Sequence, residues 1–176
     1  MHFKVVLRAA KALQLSGLAA LRFNFRGVGH SDGVYDRGEG EQEDARSALD
    51  YVEGRFPGLP LVLGGFSFGS VIALHVAARD LRVKAVFALG LPLTMVAEDE
   101  RLDHIAAPRL FVQGGQDVFG PGEALRTRAL ASPPPREVIL VPGADHFFTG
   151  HLEALQAAVA GWAESRPWVA TGESRA

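Results

Sequence analysis

The sequence predicts an α/β fold, a predominantly parallel sheet of about five strands with helices on both faces. Short apolar runs alternate along the chain with segments whose apolar residues recur at helical spacing, the order expected when each strand is followed by a covering helix. The runs are apolar nearly throughout rather than at every second residue, as in strands buried on both sides. With 176 residues and 48% apolar content the chain is large enough to enclose a core. Residues 1–164 are therefore expected to form one domain, followed by a tail over 165–176.

The elements follow in order. Val6, Ala9, Ala10 and Leu13 share one face of an opening helix that Gly17 closes, and Leu18 to Phe25 reads as a strand. The stretch from Arg26 to Gly33 is too rich in glycine for regular structure and forms a loop at that strand's carboxyl end. Ala45, Ala48, Leu49, Val52 and Phe56 then repeat at helical spacing behind an acidic first turn, and Pro57 ends the helix. Leu61 to Phe66 is a strand leading into a helix over Phe68 to Ala78. Further strands are expected over Arg82 to Gly90, Arg109 to Gly114 and Glu137 to Val141, with a helix starting near Pro121. Pro133, Pro134 and Pro135 make a stiff connector, and Leu152, Leu155, Val159 and Trp162 give the last helix its apolar stripe.

Composition narrows the function classes. Eighteen basic against twenty acidic side chains leave a net charge of -2, so there is no electrostatic footprint for nucleic acid or an anionic membrane surface. The chain has no cysteine, which excludes a disulfide framework, a thiolate metal site and a cysteine nucleophile. Lys4, Arg8 and Lys11 interrupt the first apolar stretch and argue against a signal peptide, and no later run approaches a membrane span. A cytoplasmic protein is expected. The histidines and carboxylates lack metal-ligand spacing, so no metal is expected.

Chemistry enters at Gly64-Gly65-Phe66-Ser67-Phe68-Gly69-Ser70, a Gly-x-Ser-x-Gly sequence between a predicted strand and a predicted helix. A sharp turn there forces the central residue into strained backbone geometry, and Gly65 and Gly69 lack the side chains that would collide. The Ser67 hydroxyl then projects above the sheet, and the Phe68 amide at the new helix's start can donate to an oxyanion formed on an attacked carbonyl. Phosphate cradling is the competing reading of such a turn, but the Gly-x-Gly-x-x-Gly spacing and a following lysine are both missing.

A serine needs a base within hydrogen-bond reach. His146 lies just beyond the last predicted strand, in Pro142-Gly143-Ala144-Asp145-His146-Phe147-Phe148, where a loop turns back over the carboxyl edge. His2 and His75 fall in helices, His30 in the glycine loop, His104 in a short connection and His151 at a helix start; all five read better as surface or core residues. Asp117 follows the Arg109 to Gly114 strand directly and can hold the imidazole in the useful tautomer. Asp145 competes, although its adjacency to His146 places it poorly, and Asp99 and Asp103 are fallbacks.

The chain order Ser67, Asp117, His146 at strand ends resembles the α/β-hydrolase superfamily. Leu21-Arg22-Phe23-Asn24-Phe25-Arg26-Gly27-Val28-Gly29, with Gly65-Phe66-Ser67-Phe68-Gly69, is similar to small bacterial esterase-like hydrolases near the dienelactone-hydrolase branch. That resemblance implies hydrolysis of a small carboxylic ester or thioester through an acyl-enzyme on Ser67, without a cofactor. It also implies a departure. Such proteins carry about three strands before the first helix and a loop with a second oxyanion donor, whereas this sequence opens on the helix. A missing donor predicts weak turnover. The missing third strand predicts either direct pairing of Leu18 to Phe25 with Leu61 to Phe66 or an exposed edge that drives dimerisation. The segment from Leu91 to Ile105 is too short for a large cap, so an open site is expected, with Phe25, Leu91, Phe119 and Phe147 as candidates for an apolar acyl pocket. Arg26 is read as holding its own loop. The alternative function is a noncatalytic scaffold that binds a small ligand or a protein subunit through the unfilled edge.

Overall fold

The computed structural model describes residues 4–167, apart from 97, 98, 100, 101 and 103. The expected helical position of His2, the fallback acid Asp103 and most of the expected tail lie outside the described residues. Helices α1 (Lys4–Leu15) and α2 (Glu39–Arg55) precede strand β1 (Leu61–Phe66). There follow α3 (Phe68–Ala77), β2 (Val83–Leu89), β3 (Arg109–Gly114), α4 (Gly122–Ala131), β4 (Arg136–Val141) and α5 (Leu152–Glu164).

The sheet has four strands in the order β1-β2-β3-β4, all parallel. Leu63 stands opposite Val86, Phe87 opposite Leu110, and Val112 opposite Ile139. Because side chains alternate along a strand, each strand feeds two cores. Leu61, Leu63, Val86, Ala88 and Phe111 pack with α2, α3 and α4 on one face. Ala85, Phe87, Leu89, Leu110 and Val112 pack with α1 and α5 on the other. Helices thus cover both sides, and every strand points its carboxyl end to the same edge.

Two expectations are corrected. Leu18 to Phe25 forms no strand and belongs to no ladder, so the sheet has four strands rather than about five. Direct pairing with β1 is not formed. Instead, an apolar groove of about 970 Å³ separates the two segments and leaves β1 at the edge of the sheet. The face expected for α1, Val6, Ala9, Ala10 and Leu13, lines this groove, while Val5, Ala9 and Ala12 are the helix's buried residues.

Local charge pairs fasten the elements. Arg26 donates from its amide and its guanidinium to Asp44 at 2.8 Å, which ties the glycine loop to α2 as expected. At the start of α2 the buried Glu41 accepts from the Gly38 amide at 2.8 Å. Arg82 bridges Asp80, Asp50 and Glu53 and so joins the α3–β2 turn to α2. Among the described residues no helix is long and apolar enough to cross a membrane.

Candidate active site

Ser67 occupies the single residue between β1 and α3, with φ 53° and ψ -124°. A non-glycine residue with positive φ is strained, and the surroundings hold it there. The Ser67 amide donates to Leu89 O on β2 at 2.9 Å, and the Ser70 amide donates back to Ser67 O at 2.8 Å. A Cβ on Gly65 would stand 2.0 Å from the Gly69 carbonyl oxygen, so glycine is what lets the helix fold so tightly onto the strand. Phe68 is the first residue of α3, and an amide in that position has no intrahelical acceptor.

The other two members arrive on loops at the same edge. Asp117 follows β3 and is 2% exposed; His146 follows β4 and is 6% exposed. The Gln116 amide donates to Ala144 O at 2.9 Å and binds the acid loop to the histidine loop. His146 Nε2 lies 2.9 Å from Ser67 Oγ, and Nδ1 lies 2.8 Å from Asp117 Oδ2. With a carboxylate on Nδ1, that nitrogen carries the proton, which leaves the Nε2 lone pair facing the hydroxyl. The three residues expected from the sequence are therefore joined in one relay. The rings of Phe119, Phe66 and Phe147 surround the imidazole, with centroids 4.7, 5.0 and 5.2 Å away.

Residues 1–159 match the family described as "Alpha/beta hydrolase domain". The chain belongs to this family. Among solved structures, this alpha/beta hydrolase chain is similar to an alpha-beta serine hydrolase homologue from Coxiella burnetii, with 39% identity and a TM-score of 0.83. The match covers 92% of this chain and 76% of that one. It is also similar to an α/β serine hydrolase without a lid from Xanthomonas campestris, at 34% identity and a TM-score of 0.80, covering 95% and 77% of the two chains. An uncharacterised protein of Rickettsia prowazekii is 33% identical in an alignment that covers 90% of this chain and 70% of that protein.

The competing acids of this hydrolase are engaged elsewhere. Asp145 accepts from the Thr149 amide at 2.8 Å, and the Thr149 amide and hydroxyl hold its carboxyl below the ordinary carboxylate range. Asp99 Oδ2 lies 2.5 Å from His75 Nε2, far along α3 from the serine. The pocket candidates divide. Phe25 lines the groove and meets Phe68 edge to face at 5.9 Å, and Phe119 and Phe147 stand half exposed beside His146. Leu91 is 1% exposed and sits in the core shared with α3.

Two side chains beside the relay escaped the sequence reading. Phe148 is fully buried with φ 54° and anchors the histidine loop in the core against α5. Gln113, also fully buried, donates to Asp117 Oδ2 at 2.8 Å. A polar residue inside an apolar strand was the available signal, because a buried amide requires partners.

Proposed function

We propose that this alpha/beta hydrolase is a serine esterase or thioesterase, placed near the dienelactone-hydrolase branch by its motifs, that acts on small carboxylic esters or thioesters. The unbroken relay from Asp117 through His146 to Ser67 carries this reading. Ser67 Oγ attacks the substrate carbonyl as His146 Nε2 takes its proton. The Phe68 amide stabilises the resulting oxyanion, and the imidazolium returns the proton to the leaving alkoxide or thiolate. Water, deprotonated by His146, then cleaves the acyl-enzyme. Phe25, Phe119 and Phe147 supply an apolar wall for the acyl group, which suits a partly exposed site without a large cap.

Labelling with a fluorophosphonate tests the reading, with p-nitrophenyl acetate as the turnover substrate. One equivalent is expected on Ser67, and Ser67→Ala should abolish labelling and turnover while leaving the circular dichroism spectrum unchanged. A folded wild-type protein that neither labels nor turns over would overturn it.

The open outer edge of β1 and the groove beside it favour a second reading, a noncatalytic scaffold that binds a ligand or a second copy there. The same labelling separates the two, because a scaffold has no need of a reactive hydroxyl.

A further inference from the structure

Gln113 lies between Val112 and Gly114 at the carboxyl end of β3, with no solvent contact. A buried primary amide has two protons and an acceptor to satisfy. Its Oε1 accepts from the Leu91 amide at 2.9 Å. Its Nε2 donates to Gly120 O and to Asp117 Oδ2, both at 2.8 Å, while Leu91 O lies farther off at 3.4 Å. These partners fix which way the amide points. Exchanging its nitrogen and oxygen would aim an acceptor at a carboxylate and a carbonyl, and a donor at an N–H.

The oxygen that Gln113 grips is the one that also accepts from His146 Nδ1. The other carboxylate oxygen, Oδ1, takes the amides of Phe119 at 2.9 Å and Gly120 at 3.3 Å. A carboxylate turns through a broad torsion about its Cβ–Cγ bond, so amides on Oδ1 alone leave Oδ2 free to swing out of the imidazole plane. Gln113 stops that swing, and it is itself anchored to the segment that follows β2. Gly120 makes room for this arrangement: a Cβ there would stand 2.3 Å from Leu91 O and 2.7 Å from Gln113 Nε2.

We propose that Gln113 is a positioning residue for hydrolysis. It locks the Asp117 carboxylate so that Oδ2 faces the imidazole, and thereby selects the tautomer whose Nε2 lone pair meets Ser67. The proposal rests on the serine-hydrolase reading of the relay. The side chain touches no substrate; its whole effect passes through Asp117.

Gln113→Met keeps the volume and removes both the donor and the acceptor. Loss of a hydrogen bond to a charged group should lower kcat on p-nitrophenyl acetate by about 10- to 100-fold, with KM changed by no more than about twofold. In an Asp117→Ala background the same substitution should cost less than about twofold, because its route of action is gone. In protein labelled with ¹⁵N-histidine, wild type should show the Nδ1–H tautomer at His146 and Gln113→Met a mixture of tautomers. An equal loss of kcat in both backgrounds, or an unaltered tautomer in the folded variant, overturns the proposal. Should Gln113→Met fail to fold, the near-isosteric Gln113→Glu carries the same two measurements, since it keeps the shape but sets a second carboxylate against Asp117. A wild type without turnover strikes at the hydrolase reading alone, because the tautomer measurement still decides the role of Gln113.

Discussion

At the scale of single residues, the relay is a problem of directing one proton. A serine hydroxyl at neutral pH gives up its proton only to a neighbour that holds the right lone pair at the right angle. His146 has two nitrogens, and the carboxylate of Asp117 decides which of them faces Ser67. Asp117→Asn keeps the shape but offers an N–H where an acceptor is needed, so the wrong tautomer becomes favoured. Its kcat should fall by about 10⁴-fold with little change in melting temperature. A steady-state assay beside a thermal melt checks this, and a loss below tenfold would remove Asp117 from the role. The elbow itself was readable from seven consecutive residues, since glycines flanking a serine between strand and helix respond to purely local sterics. Gln113 was not readable in the same way: its grip on Asp117 and Gly120 depends on how the loop after β3 folds back, and Leu91 becomes its neighbour only after β2 and β3 are paired.

Helices and strands here are joined by a few charged pairs whose protonation makes stability depend on pH. Hydrogen bonds from Arg82 hold the Asp80 carboxyl below its ordinary range against the opposing effect of burial. Burial pushes the Asp44 carboxyl up, but the bonds from Arg26 outweigh it and hold that group low as well. Both folded-state values lie below the unfolded ones, so the contribution is present above the unfolded carboxylate value of about 3.9 and is lost as pH falls through the folded value. The melting temperature should therefore be flat from neutral pH down to about 5 and decline below about 4. Arg82→Met should flatten part of that decline. Circular dichroism melts across a pH series measure it, and a midpoint indifferent to acid would contradict the assignment. Element positions were legible to within a residue or two for β1, α3, β3 and α5, because each has a sustained apolar pattern and a glycine, proline or capping boundary. Leu18 to Phe25 has a strand's composition, but a ladder also needs a partner at strand spacing, which the groove denies it.

For the molecule as a whole, the unequal edges of the sheet are the governing feature. α1 and α5 close one face and α2, α3 and α4 the other, yet the outer edge of β1 looks into an apolar groove that runs up to Ser67 and His146. Unpaired strand edges beside apolar surface are sites of self-association. The chain is therefore expected to sediment as a dimer at micromolar concentration, and Val62→Lys on β1 should shift it toward monomer without disturbing the relay at the far end of the strand. Analytical ultracentrifugation of the two proteins decides this; a monomeric wild type would leave the edge free of a second copy.

Read alone, the sequence determined the α/β class, the elbow at Ser67 and the order of serine, acid and base, because each follows from sterics and periodicity acting over a few neighbouring residues. Tertiary structure decided which carboxylate serves the histidine, that Leu91 is core and not pocket, that the sheet stops at four strands, and that a buried glutamine grips the acid. The relay in particular depends on contacts between residues far apart along the chain, 79 positions for His146 and Ser67 and 29 for His146 and Asp117. A chain's local preferences say where a loop leaves the sheet. Only packing says which side chains of different loops come within about 3 Å of one another, the reach of a hydrogen bond.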